Sequence, residues 1–361
     1  MLPIKHLRDS CPTRGGVRRA TISVLNAIVE AIGEHYSCSF APAFALNALR
    51  MLARTNSTVA TLSARATSSS RIRRMFYGPS ELRAGWRFVI FAMIVFGLMV
   101  IKTQFVRMLP HGTDQATSYL VDKVLKFAAF LSASWIMARI EARTIADYGL
   151  PWRAMFGRRF LQGAAIAFVC LTAFLITSRI AGVFRFGEVA WHGREIWKWG
   201  TLYGFGFIIV ALEEEFHYRG YGLYTLTQGI GFWPAAILSS ATFGYSHLGN
   251  SGENWLGVFN ASAGGLLFCL LLRRSGNLWM PIGFHASWDW TQTYFYGVPD
   301  SGHVLPGHLF NGNFVGPRWL TGGSVGPEGS VLLTLLIVLF WLCVSAWLRQ
   351  ARYSQQRMPM S

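Results

Sequence analysis

The stretch "ALEEEFHYRGYG", Ala211 to Gly222, sets Glu213, Glu214 and Glu215 in a row with Arg219 four residues after the last of them. Two later stretches carry further groups able to move protons or bind a metal. "SSATFGYSHLG" holds Phe243 and His247, and "NLWMPIGFHASWDWTQ" holds His285 and Asp289. On a helix, residues four apart share a face, whereas Glu214 is turned roughly 100° from Glu215. Glu215 can therefore pair with Arg219 and leave Glu214 free, while His285 and Asp289 form a unit of their own. All these side chains lie in or beside apolar stretches, where an ionisable group is expensive and needs a partner or a task. Three glutamates and an arginine could by themselves mark the charged end of a membrane helix. Histidines on two further apolar segments, one of them paired with an aspartate, strengthen the case for a site.

The elements that must position these groups are membrane helices. Of 361 residues, 52% are hydrophobic and only 14% charged, with a mean hydropathy of +0.33, which is the composition of a membrane protein. The formal charge of +16 does not point to nucleic acid, because the basic residues form short clusters between apolar segments instead of one polar face. Five cysteines, Cys11, Cys38, Cys170, Cys269 and Cys343, show neither paired spacing nor a CxxC motif.

Eight apolar segments, at about 87–106, 119–138, 160–183, 199–213, 229–247, 255–272, 277–296 and 329–348, approach the roughly 20 residues that a helix needs to cross a bilayer core of about 30 Å. Lysine and arginine mark the cytoplasmic connections. Arg71, Arg73, Arg74 and Arg83 precede the first segment, and Arg139, Arg143, Arg153, Arg158 and Arg159 fill the second connection. Arg273 and Arg274 fill the sixth, and Arg349, Arg352 and Arg357 follow the eighth. "GNSGEN" has no basic residue, and the long seventh connection has only Arg318. The third connection departs from the pattern with Arg185, Arg194 and Lys198, accompanied by Glu188 and Glu195. The expectation is an all-α polytopic membrane protein of about eight transmembrane helices, both termini cytoplasmic, with the site between helices 4, 5 and 7.

Residues 1–74 are rich in Arg, Ser, Thr and Ala and contain only a short apolar patch, "VLNAIVEAIG". Their composition suits a basic, disordered extension, a transit peptide, or a stretch upstream of a translation start at Met75. The transmembrane domain is expected over 75–361, with its core motifs in 199–296.

Taken in order, E-E-x-x-x-R at Glu214, Glu215 and Arg219, F-x-x-x-H at Phe243 and His247, and H-x-x-x-D at His285 and Asp289 resemble the CPBP family of intramembrane proteases. That family includes CAAX prenyl endopeptidases and bacterial relatives linked to bacteriocin immunity. "RWLTGGSVGPEGS" in the last external loop also looks like the bacterial members. The resemblance implies an intramembrane endopeptidase in a bacterial cytoplasmic membrane, acting on a peptide or membrane-anchored protein, with Glu214, Glu215, His247, His285 and Asp289 as catalytic residues and Arg219 and Phe243 in support.

Peptide hydrolysis inside a membrane needs a held water, a base for its proton, and donors for the developing oxyanion. Glu214 is the candidate base, His247 and His285 would position the water or donate to the oxyanion while neutral, and Glu215 with Arg219 would clamp the helix. Glu214, His247, His285 and Asp289 could alternatively ligate Zn²⁺ with a water in the open position. The chain lacks H-E-x-x-H, and the resemblance leaves metal-dependent and glutamate-activated mechanisms both open. His217 is expected to cap or solvate the helix end. Two readings from other classes are a non-catalytic immunity or binding module on the same fold and a proton-coupled transporter, although no inverted repeat is apparent.

Overall fold

The computed structural model describes residues 76–78, 82–108, 110 and 114–353. The extension expected over 1–74 lies outside them. Within the described residues the chain is predominantly helical, and each of the eight apolar segments overlaps helical structure, the one at 229–247 across a break at Gly231 between two helices. The longer helices are α1 (Ala84–Arg107), α2 (Gln115–Ile140), α3 (Arg158–Ile180) and α4 (Arg194–Arg219). They are followed by α5 (Tyr221–Ile230), α6 (Phe232–Ser246), α7 (Trp255–Ser275), α8 (Trp279–Trp290), the short α9 (Arg318–Thr321) and α10 (Val331–Trp347).

Among the described residues, α1, α3 and α7 are long and apolar enough to cross a membrane, and α10 is apolar but shorter. Their outward residues, such as Phe96, Ile101, Val169, Phe259 and Leu339, are large and exposed, as a surface facing lipid requires. Helices α2 and α4 are equally long, but they carry Asp122, Lys123, Lys126 and the three glutamates. The chain is an integral membrane protein on these helices.

Local chemistry sets the helix ends. Asp114 caps α2 by accepting from Thr117 N at 2.9 Å, and Asn254 caps α7 by accepting from Leu256 N and Gly257 N at 2.9 and 3.0 Å. Both satisfy amides that the first turn leaves without partners. Gly276 ends α7 at φ 94°, a conformation glycine adopts without steric cost. Helix α4 does not stop at residue 213 but runs on to Arg219, so the glutamates lie inside it. Strands β1 (Phe184–Arg185) and β2 (Asn313–Phe314) form one antiparallel pair, with Phe184 opposite Phe314.

The packing that matters most for the site is that of α3 against α8. A side chain at Gly163 would strike the backbone of Met280 and Phe284, and one at Gly283 would strike the backbone of Phe160. The two glycines let the helices meet backbone to backbone, as small residues do between membrane helices. Ser287 Oγ donates to Ala164 O at 2.8 Å across the same seam. Trp279, fully buried at the start of α8, donates from Nε1 to Pro151 O at 2.9 Å. The helix carrying His285 and Asp289 is therefore fixed in rotation and in height.

Candidate active site

Helix α4 presents three consecutive glutamates in three different directions, because successive residues turn by roughly 100°. Glu215 is fully buried and pairs with Arg219 at 3.2 Å, one turn later. Arg219 is itself fully buried, and its guanidinium lies 4.4 Å from the Phe243 ring centre and 5.4 Å from that of Phe268. Its Nε and Nη2 have no hydrogen-bond partner among the described residues, and the aromatic faces take that place. Gly265 on α7 provides the room: a Cβ there would come within 2.6 Å of Arg219 Nη2.

Glu215 also accepts from His285 Nδ1 at 2.9 Å. Beside Arg219 the carboxylate can only accept, so Nδ1 carries the proton and Nε2 is the nitrogen left for chemistry. Nε2 faces Asp289 Oδ2 at 3.6 Å and Glu214 Oε2 at 3.8 Å. The ring stacks on Phe268, with centres 5.3 Å apart, which fixes its tilt. His247, just past the end of α6, gives Nδ1 to the Phe243 carbonyl at 2.8 Å, which likewise leaves its Nε2 available. While neutral, neither Nε2 can donate, so an oxyanion contact from either ring requires the imidazolium.

A cavity of about 110 Å³ joins these groups. His247, His285 and Asp289 line it together with Asp300 and Glu328, and the remaining wall is largely apolar, including Leu267, Phe284, Leu336 and Phe340. Glu214 is not among the lining residues and approaches the cavity at His285. Asp300 and Glu328 come from the loop between α8 and α10, and sequence reasoning did not single them out. Glu328 accepts from Trp288 Nε1 at 3.2 Å and Gln292 Nε2 at 3.0 Å. Burial and the neighbouring Asp300 push its carboxyl up to about 8, and burial beside Asp289 pushes Asp300 well above the usual carboxylate range.

Two expectations change. Glu214 is not left free by the Glu215–Arg219 pair: Lys123 of α2 holds its Oε1 at 2.5 Å and also reaches Glu213 at 3.1 Å. His217 does not sit at a solvated helix end, since it contacts Glu213 at 3.3 Å and stacks on Phe130 with centres 3.8 Å apart. Lys123 was legible as a cation inside an apolar segment, the one signal that marks such a residue.

The residues offered to Zn²⁺, Glu214, His247, His285 and Asp289, do not fit a metal. Among the described residues no group of three or more His, Cys, Asp or Glu side chains is arranged to hold one. Glu214 already has an ammonium on one oxygen, which would repel a divalent cation.

Residues 195–291 match the family model of the type II CAAX prenyl endopeptidase, Rce1-like, proteins. No curated protein and no solved structure matches the chain. The matched segment contains Glu214, Glu215, Arg219, Phe243, His247, His285 and Asp289. The match over residues 195–291, together with the three motifs it contains, makes this segment similar to the CAAX-type intramembrane proteases.

Proposed function

We propose that this protein is an intramembrane endopeptidase, a hydrolase of the CAAX type, in which Glu214 takes the proton of a water held against His285. The observation that carries this reading is the orientation of His285. Glu215 fixes Nδ1 and turns Nε2 toward Glu214 and Asp289, both too far for a direct hydrogen bond and near enough for one water to touch both partners.

In the reaction, that water gives a proton to Glu214 Oε2 and its oxygen attacks the scissile carbonyl carbon. A C–O bond forms and the carbonyl π pair moves to the carbonyl oxygen. His247 as imidazolium donates to that oxyanion from Nε2. Collapse breaks the C–N bond, and the proton on Glu214 passes to the leaving amine. Arg219 and Phe243 hold Glu215 and the His285 ring in register, and Asp289 orients His285. The apolar cavity wall suits the hydrophobic part of a peptide or membrane-anchored substrate. The protein would work in a bacterial cytoplasmic membrane with both termini inside, and no step requires a metal.

The test uses purified full-length protein in proteoliposomes with two quenched fluorescent peptides, one ending in a farnesylated CAAX sequence and one an unprenylated hydrophobic peptide. Cleavage of either that is lost in Glu214→Gln, His247→Ala and His285→Ala alike supports the reading, because residues acting as a unit fail together. A folded Glu214→Gln protein with wild-type turnover would overturn it.

A further inference from the structure

The mechanism gives no task to Lys123, a buried cation beside its proposed base. Lys123 lies in the middle of α2, outside the matched segment, and is 8% exposed. Its ammonium meets two carboxylates of α4, Glu214 Oε1 at 2.5 Å and Glu213 Oε2 at 3.1 Å, and lies 5.4 Å from the Tyr119 ring centre. Glu213 is fully buried and has other partners, His217 at 3.3 Å and Lys126 at 3.9 Å. Glu213 thus anchors the ammonium, and the ammonium in turn holds Glu214.

The consequence falls on the reacting oxygen. A carboxylate torsion is broad and close to two-fold, so an unheld Glu214 could present either oxygen, or neither, to His285. An ammonium only donates, so the oxygen it holds stays an acceptor and a proton taken from water must go to the other one, Oε2. That oxygen is the one facing His285 Nε2. Around His285 stand three carboxyls, Glu214, Glu215 and Asp289, and Arg219 serves only Glu215. Lys123 is the cation that balances Glu214.

We propose that Lys123 is a positioning residue for proteolysis, acting through Glu214 to keep its Oε2 turned to the water site against His285. This rests on the proteolytic reading above. It assigns a role to a residue of α2, a helix that carries none of the three motifs.

The test measures kcat and KM on the farnesylated CAAX peptide in proteoliposomes for wild type, Lys123→Met, Lys123→Arg and the double variant Lys123→Met/Glu213→Gln. Methionine keeps the length of lysine without its charge. The double variant also removes the second carboxylate that would be left buried and unpaired, so it separates folding from function. The expected result is a fall in kcat of about 30-fold or more in Lys123→Met and in the double variant, with KM within about threefold of wild type, the pattern of a lost transition-state interaction. Lys123→Arg should recover a substantial part of kcat. The inference is overturned if Lys123→Met keeps kcat within about threefold of wild type, if the double variant regains wild-type kcat, or if arginine does no better than methionine. Wild-type protein that cleaves no peptide would overturn the proteolytic reading instead, and this inference with it.

Discussion

Glu215 and His285, seventy positions apart on α4 and α8, are joined by a hydrogen bond of 2.9 Å from His285 Nδ1 to Glu215 Oε1. Arg219 shares that same oxygen at 3.2 Å. One carboxylate oxygen therefore sets both the charge balance of α4 and the direction of the imidazole. Removing either cationic or imidazole partner should be felt by the other.

Arg219→Ala is expected to abolish cleavage and lower the unfolding midpoint together, because it leaves Glu215 buried without its cation, a loss of about 3–5 kcal/mol. Arg219→Lys should restore only part of the stability. A lysine cannot reproduce the flat contact of the guanidinium with Phe243 and Phe268. Thermal unfolding in detergent alongside a peptide assay checks both statements.

Gly265→Ala tests the room made for that guanidinium. In a helix, alanine is favoured over glycine by about 1 kcal/mol, so a neutral site would gain stability. Here the added Cβ would come within 2.6 Å of Arg219 Nη2 and 3.2 Å of Phe243 Cδ1, and overpacking of this kind costs about 1–3 kcal/mol. The expected outcome is a lower unfolding midpoint and at least a tenfold loss of kcat, on the order of 1.4 kcal/mol.

Asp289→Asn should retain at least about a tenth of wild-type kcat and show no response to added Zn²⁺. Asp289 faces His285 Nε2 at 3.6 Å, and an amide of the same shape can still orient the ring or donate to an oxyanion. Near-complete loss restored by zinc would mean that the aspartate is a metal ligand.

Glu328 should give stability a measurable pH dependence. Its carboxyl keeps its proton in the folded protein up to about 8, whereas in the unfolded chain it ionises near ~4.3. Its contribution is full below ~4, falls as pH rises from there, and is lost once pH has passed through about 8. The unfolding midpoint of wild type should drop more between pH 5 and pH 8 than that of Glu328→Gln, which imitates the protonated form. Parallel profiles for the two proteins would show that Glu328 does not retain its proton.

Orientation in the membrane can be checked by labelling. Arg273 O accepts from Arg352 N at 2.8 Å and Tyr353 N at 3.1 Å, so the end of α7 and the segment after α10 lie together. In a cysteine-free background, Arg158→Cys and Arg349→Cys should resist an impermeant thiol reagent added outside intact cells. Val304→Cys, exposed on the long loop, should react. Labelling at position 158 from outside would reverse the topology.

The sequence by itself determined the helical class, the eight apolar segments and the seven motif residues, because hydropathy and i, i+4 spacing are properties of the chain alone. Glu215 pairing with Arg219, and His285 sharing a face with Asp289, needed only helical geometry. What the tertiary structure decided is everything that depends on which helix faces which. The Glu215–His285 bond spans two helices, and it fixes which imidazole nitrogen remains for chemistry. Gly163 and Gly283 set the height of α8 against α3 through backbone contact that no single segment encodes. Glu214 looked free because its partner lies ninety-one residues earlier, on a helix without motifs. An ion pair between helices has no periodicity in sequence: its energy depends on a distance that exists only once the helices have packed.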